Sequence, residues 1–395
     1  YASNTHQQQG RLLLARVGGV ARAPKKPAMA ETAEAPAVAV LFDFDGTLAD
    51  TERAALEVAF WALAPFVPSL RGTSPAALDR ECAAFVRNAG KPFEAMLRDV
   101  EADRARAGLE PVDRVWPALG DDGVAAAVRA KRKALGLPPL PKTTTSKDDD
   151  DDDDDRAPTT IVAQQRADTI ARLARTARPT EGATETLDRL GALGVPCVVA
   201  TTSAKDRVAA CLDAAGLRDY FPSDLHDVHS GESDFGDAPK LKPAPDVYRK
   251  AAASVGRAPS RCVAVEDSPS GVGSAANAGV GVIVGYVGAA HVVDKAAHAG
   301  ILLSGERSWD GRGADVVVSR LIDIVPVVEA LRRYASSSSS SSSGDSRREN
   351  GGSSSAEEEV KALRDLARAT LLESSAAPHC WFPARRSTSL KDDTV

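Results

Sequence analysis

No run of apolar residues in this chain is long enough to cross a bilayer, so a membrane is not an expected partner. Basic residues are not in excess either. Lys and Arg number 49 against 55 Asp and Glu, the formal charge is −6, and the part that patterns as folded carries no basic stripe. A nucleic acid is therefore not an expected partner. Cysteines are few and scattered: Cys82, Cys197, Cys211, Cys262 and Cys380 are odd in number, and no two have metal-ligand spacing. With Cys197 and Cys262 in apolar, strand-like runs, they read as buried thiols in a reducing compartment. Acids are missing from the first thirty residues, which hold Arg11, Arg16, Arg22, Lys25 and Lys26 before Glu31. A basic, acid-poor start resembles a transit segment, so a chloroplast or other organelle is the expected address for a disordered 1–37. A plain basic tail on a cytoplasmic protein is the alternative. No internal repeat is visible. What is present is 395 residues with 43% hydrophobic content, enough for a substantial core and more than one domain.

The chain is organised around Val38-Ala39-Val40-Leu41-Phe42-Asp43-Phe44-Asp45-Gly46-Thr47-Leu48. The Val-rich opening reads as a strand buried on both faces, as in a parallel sheet. It runs into two aspartates that the period-two alternation of a strand projects to one side. Paired carboxylates at a strand's carboxyl end are costly unless a cation or a proton separates them, and ligands of open α/β sheets bind at that end. One carboxylate could attack an electrophile such as phosphorus while the other moves a proton. Gly46 lets the backbone turn sharply and leaves room for a ligand. Taken alone, the same residues also fit a simple helix start, with Asp50 and Thr51 before Glu52 and an apolar run.

Strand signal is then missing from Thr51 to Arg178. Segments 53–63, 75–88, 93–106, 122–135 and 159–175 are rich in Ala, Leu, Glu and Arg, which favour helix. Residues 51–177 read as an inserted helical module, the cap, between two core segments at 38–50 and 178–334. Within the cap, 142–158 includes eight consecutive aspartates, Asp148–Asp155. Such a run repels itself and lacks the spaced ligands and turn glycine of a Ca²⁺ loop, so it reads as disordered. The polar segment 224–239 reads as a loop. The serine and glycine runs predict a flexible linker over 335–356, followed by a short helix at 357–372 within 357–395 and a disordered last twenty residues.

Three further strand ends or loops carry reactive groups. The strand at 195–200 ends in Thr201-Thr202-Ser203 just before a helix, a place for an anion or an ordinary cap. Lys242 lies in Lys240-Leu241-Lys242-Pro243-Ala244-Pro245-Asp246. The strand at 262–265 ends in Glu266-Asp267-Ser268. Strands alternating with helices imply a parallel sheet whose carboxyl ends share one edge, where all of these groups would meet.

In that order and spacing, the motifs resemble the haloacid dehalogenase superfamily over residues 38 to 330. Asp50-Thr51-Glu52, the Lys242-Pro243-Ala244-Pro245-Asp246 run and Glu266-Asp267-Ser268-Pro269-Ser270-Gly271 are similar to the subgroup with a helical cap after the first motif. That subgroup includes CbbY-like phosphatases and β-phosphoglucomutase. The resemblance implies a Rossmann-like parallel α/β core with an all-helical cap, and a small phosphorylated substrate. It implies Asp43 as the nucleophile that forms an aspartyl-phosphate, and Asp45 as the general acid/base. Mg²⁺ would bind the Asp43 carboxylate, the Asp45 backbone carbonyl and Asp267, with Glu266 as a ligand or nearby. Thr201 and Lys242 would hold the phosphate, helped by Thr202, Ser203 and the Gly46 turn; Lys240 competes with Lys242. Hinges of the cap would lie near Asp50–Glu52 and Arg178–Gly182. The expected function is a phosphatase, probed against a phosphomutase and, in another class, a non-catalytic scaffold using the C-terminal tail. A monomer is the expected state.

Overall fold

The computed structural model describes residues 38–87, 92–117, 119, 123–140, 160–222, 224–341, 354–374 and 376–383. The transit-like segment, the aspartate run and most of the serine and glycine linker lie outside the described residues.

The chain opens with β1 (Ala39–Phe42), fully buried. A turn at Gly46 leads to the short β2 (Ala49–Asp50), and among the described residues six α-helices follow: α1 (Glu52–Leu63), α2 (Pro75–Arg87), α3 (Phe93–Arg106), α4 (Val112–Val115), α5 (Gly123–Ala134) and α6 (Ile161–Thr176). The chain returns through β3 (Arg178–Pro179), which pairs antiparallel with β2. Helices and strands then alternate: α7 (Ala183–Ala192), β4 (Cys197–Thr201), α8 (Lys205–Ala214), β5 (Val228–Ser230), α9 (Asp246–Ser254), β6 (Cys262–Glu266), α10 (Pro269–Asn277), β7 (Val282–Tyr286), α11 (Lys295–Ser304) and β8 (Val316–Val318). Last come α12 (Ile324–Ser341), α13 (Ser354–Leu372) and β9 (Cys380–Trp381). The main sheet has seven strands in the order β5-β4-β1-β6-β7-β8-β9, parallel except for β9. This is the expected α/β core with an inserted helical cap.

Alternation along β1 divides the interior in two. Val40 and Phe42 join one apolar cluster with Val199, Val265, Leu187 and Leu331, whereas Ala39 and Leu41 join another with Tyr248, Val272 and Leu302. A strand covered on both faces needs apolar residues at every position, which is why it reads as a continuous run. The helices before β3 have interiors of their own. Helix α1 supplies Val58 and Trp61 to one cluster and Leu56 and Leu63 to the other, because a helix repeats near 3.6 residues. Buried Arg132 on α5 forms an ion pair with buried Asp168 on α6, whose Oδ1 also accepts from Gln164 at 2.9 Å. No helix among the described residues is long and apolar enough to cross a membrane.

Three local expectations give way. Segment 224–239 holds a strand, β5, whose His229 and Ser230 hide its pattern; it pairs with β4 at the sheet edge. The linker expected from residue 335 is helical as far as Ser341, since α12 simply continues. Ser336 and Ser337 turn their hydroxyls back onto the carbonyls of Arg332 and Tyr334 at 3.0 and 2.8 Å, the usual way a serine is accommodated in a helix. The last twenty residues are not all disordered, because Cys380 and Trp381 pair with Val318 and Val317 and add β9 to the sheet.

Helix α13 packs beside α12 with Leu363, Ala367 and Leu371 buried in the core, and Arg364 and Arg368 donate to the carbonyls of Gly281 and Asp315 at 3.1 and 3.0 Å. A chain ending at residue 341 is therefore expected to melt at least ~3 °C lower. Burying two leucines stabilises by about 1.5–3 kcal/mol each, and a chain of this size loses about 1 °C per kcal/mol. It should also aggregate, because β8 would become an unprotected edge. An unchanged melting midpoint in calorimetry would show the tail to be an appendage.

Candidate active site

A parallel sheet places the carboxyl ends of β4, β1 and β6 side by side on one edge. Asp43 follows β1, Thr201 ends β4, Glu266 ends β6 and Asp267 follows it. Lys242 arrives from the loop between β5 and α9. Its side chain is 3% exposed, and its ammonium donates to Asp43 Oδ1 and to Glu266 Oε1, both at 2.5 Å. Lys240, its competitor in the sequence, is exposed and uses its backbone N–H on the Gly231 carbonyl. Glu266 is held further by the Tyr248 hydroxyl, 2.5 Å from Oε1, and by Ser268, 3.3 Å from Oε2. The Ser268 hydroxyl also caps α10 by accepting from the Gly271 N–H.

One oxygen each of Asp43, Glu266 and Asp267 lies within 4.8 Å of the others, and all three residues are buried. Burial first, and then the neighbouring carboxylates, push the Asp43 carboxyl up against the opposing pull of Lys242. Burial, Asp43 and Glu266 likewise push Asp267 well up. Burial works against the Lys242 charge, but Asp43 and Glu266 outweigh it and hold the ammonium protonated. Three hard oxygen donors with one ammonium among them suit a divalent cation of the Mg²⁺, Ca²⁺ or Mn²⁺ kind.

Asp45 belongs to a different environment. β1 ends at Phe42, so the period-two argument does not reach it. Its Oδ1 accepts from the Thr51 hydroxyl at 2.6 Å and from Arg207 at 2.7 Å, and its Oδ2 accepts from the Ser203 hydroxyl at 2.5 Å. Burial would raise this carboxyl; Arg207, Ser203 and Thr51 outweigh it and hold it below the usual range. The two aspartates of the motif are thus set apart, Asp43 pushed up and Asp45 pulled down.

The remaining predicted residues are at the same edge. Thr201 is fully buried and its hydroxyl accepts from the Ser203 N–H at 3.1 Å, shaping the turn into α8. Thr202 is half-buried beside it. Gly46 has φ +80°, and a Cβ there would lie 2.0 Å from Asp267 Oδ2, so the bare backbone is what lets that carboxylate approach. Residues expected as hinges form the β2–β3 pair, latched by the Thr180 hydroxyl on the Thr47 carbonyl at 2.5 Å.

Several residues of the site carry no motif in the sequence: Arg207 on Asp45, Tyr248 on Glu266, and His291 and His298 beside Asp267. Only position relative to a motif could have flagged them. Arg207 sits on the first turn of α8 after the Thr201 motif, Tyr248 on the first turn of α9 after Lys242, and the two histidines follow β7.

The family model for haloacid dehalogenase-like hydrolases matches residues 38–279. Protein CbbY of Rhodobacter capsulatus is 34% identical over 103 residues, 26% of this chain and 43% of that protein. A probable pseudouridine-5'-phosphatase of Drosophila melanogaster is 41% identical over 123 residues, 31% of this chain and 51% of that protein. The chain spans about half the length of the curated relatives it matches. Among solved structures, a haloacid dehalogenase-like protein of unknown function from Agrobacterium tumefaciens aligns at 23% identity and TM-score 0.47, covering 75% of this chain and 98% of that one. CbbY from Rhodobacter sphaeroides in complex with phosphate aligns at 20% identity and TM-score 0.38, covering 73% and 96%. From a family match over more than half of its length, with the motif residues gathered at one sheet edge, the chain belongs to the haloacid dehalogenase-like hydrolase family.

Proposed function

We propose that this chain is a Mg²⁺-dependent phosphatase that hydrolyses a small phosphorylated metabolite, a sugar phosphate, through an aspartyl-phosphate on Asp43. The observation that carries the reading is the placement of Lys242 on Asp43 and Glu266 together, with Asp267 alongside and Asp45 held separately. A nucleophilic carboxylate needs its charge and that of the incoming phosphate offset, and a buried ammonium touching it does this. Asp43, Asp267 and the Asp45 backbone carbonyl would hold Mg²⁺, with Glu266 as a further ligand or as the anchor of Lys242. The bound cation would supply charge neutralisation at the transferring phosphoryl group.

In the first half-reaction an Asp43 oxygen bonds to phosphorus while the ester P–O bond breaks, and the leaving alcohol takes a proton from Asp45. In the second, water attacks the phosphorus of the aspartyl-phosphate, Asp45 accepts its proton, and Asp43 is released. As held by Thr51, Ser203 and Arg207, Asp45 is ionised and suited to the second half. Its protonated form, required for the first, can carry its proton on Oδ2 beside the Ser203 contact, but it gives up the charge that strengthens all three hydrogen bonds. The helical cap would close over the edge and exclude bulk water. Its α6 reaches α8 and the loop after β5 through Arg166, which pairs with Glu232 and lies 3.3 Å from Asp206. Similarity over part of the chain to a protein named as a probable pseudouridine-5'-phosphatase supports a small phosphorylated metabolite as the substrate class.

The test is inorganic phosphate release from a panel of sugar and other small phosphates, with Mg²⁺ and with EDTA. Release from one class that EDTA abolishes is expected. No release from any member by folded protein would overturn the reading and favour the scaffold; an isomerised sugar phosphate without free phosphate would favour the mutase. Gly46→Ala is expected to cost about 100-fold or more in that assay. Its Cβ would collide with Asp267 Oδ2, and its φ would strain alanine by about 1 kcal/mol. A rate within threefold of wild type would show that Asp267 need not stand where it does.

A further inference from the structure

We propose that His298 and His291 are positioning residues for Asp267, setting how tightly the site takes a divalent cation; this rests on the reading of Asp267 as a metal ligand. His298 lies on α11, and its Nε2 is 2.7 Å from the backbone oxygen of Asp267. A carbonyl can only accept, so Nε2 carries the proton and the ring donates. The peptide that starts the turn from β6 into α10 is thereby tied to a second helix. Helix α11 is itself anchored: Asp294 caps its first turn through the Ala297 N–H at 2.9 Å, and Ala299 and Leu302 are fully buried beneath the sheet. The direction in which the Asp267 side chain leaves the backbone is therefore set from outside its own loop.

His291, in the connection between β7 and α11, acts on the carboxylate itself. Its Nε2 lies 3.5 Å from Asp267 Oδ2, while the Thr47 hydroxyl lies 3.4 Å from Oδ1. The Thr47 hydroxyl thus donates to one oxygen, and the edge of the His291 ring stands against the other. Contacts at these lengths orient rather than bind strongly, and they leave both oxygens with lone pairs for a cation. The His291 ring is braced edge-on against His298, centroids 6.5 Å apart at 90°. It also fills the space over Gly46, where an added Cβ would meet His291 Cε1 at 2.9 Å. His291 Nδ1 is buried without a hydrogen-bond partner among the described residues. A buried unsatisfied nitrogen is costly to a fold, so an apolar ring would serve packing better than this imidazole does. The imidazole edge instead stands at the carboxylate, where an apolar ring would offer no polar atom.

Groups that hydrogen-bond metal ligands typically change metal affinity by about 10–100-fold when removed. The experiment is a titration of the full chain with Mn²⁺, reading free Mn²⁺ by electron paramagnetic resonance without substrate, followed by displacement with Mg²⁺. Wild type is expected to bind one ion that Mg²⁺ displaces, and Asp267→Asn to lose it. His298→Leu and His291→Phe are expected to bind about tenfold more weakly or worse, with metal-free melting midpoints near wild type. His298→Gln places an amide N–H close to where Nε2 stood and should recover most of the affinity. Wild-type affinity in both His298→Leu and His291→Phe, with Asp267→Asn still unable to bind, would overturn the proposal and leave the metal site standing. Absence of binding by wild type would overturn both. Should His298→Leu fail to fold, His291→Phe decides alone, and wild-type affinity there overturns the proposal.

Discussion

Asp43→Asn is expected to lower phosphate release by at least ~10³-fold while the protein stays folded. The amide matches the carboxylate in shape but offers a far poorer nucleophile, and loss of a covalent nucleophile costs several orders of magnitude in rate. Stability should hold or rise, because the charge removed is one of three crowded carboxylates and burial already pushes it toward its neutral form. Lys242 keeps its second partner, Glu266, at 2.5 Å, so no ammonium is stranded. Phosphate release and thermal melting on the same preparation are the measurements. A variant retaining a tenth of wild-type activity would falsify Asp43 as the nucleophile, whatever its melting point.

Lys242→Met carries the second large effect, this time on both stability and rate. The apolar side chain fills much the same volume but leaves Asp43, Glu266 and Asp267 without the ammonium that touches two of them. Stripping one partner from a buried ion pair costs about 3–5 kcal/mol, because the remaining charge is buried and uncompensated. The rate should fall about 10²–10³-fold through lost stabilisation of the transferring phosphoryl group. Mg²⁺ should restore part of the lost stability but not the rate, since a cation among the carboxylates offsets their repulsion without replacing the Lys242 contact. Urea unfolding with and without Mg²⁺, beside phosphate release, separates the two. Equal wild-type and variant unfolding midpoints in EDTA would mean that Lys242 does not hold these charges together.

The partners of Asp45 show where a sequence reading stops. Thr51 lies six positions away, and its hydroxyl could have been guessed. Ser203 and Arg207 are 158 and 162 positions distant, brought in by β4 pairing beside β1. From spacing alone Asp43 and Asp45 form one reactive pair. In the fold they have different neighbours, and their carboxyls are shifted in opposite directions. The C-terminal region gives the same lesson from the other side. Serine runs have low intrinsic order, but α12 carries its helix through Ser341, and Cys380 and Trp381 find an open sheet edge at β8. Composition speaks of what a segment does alone, and these segments are not alone.

The sequence by itself determined the elements whose cause is local. Continuous Val-rich runs read as covered strands, the Ala-, Leu- and Arg-rich segments after Thr51 read as helices, and alternation of the two afterwards implied a parallel sheet with its reactive ends on one edge. Tertiary structure alone decided which charges meet. Lys242 on Asp43 spans 199 positions, and Thr47 on Asp267 spans 220. The physical reason is range: propensity and periodicity act over a few residues, whereas a site depends on strand order, and strand order is chosen by burying both faces of the whole sheet at once.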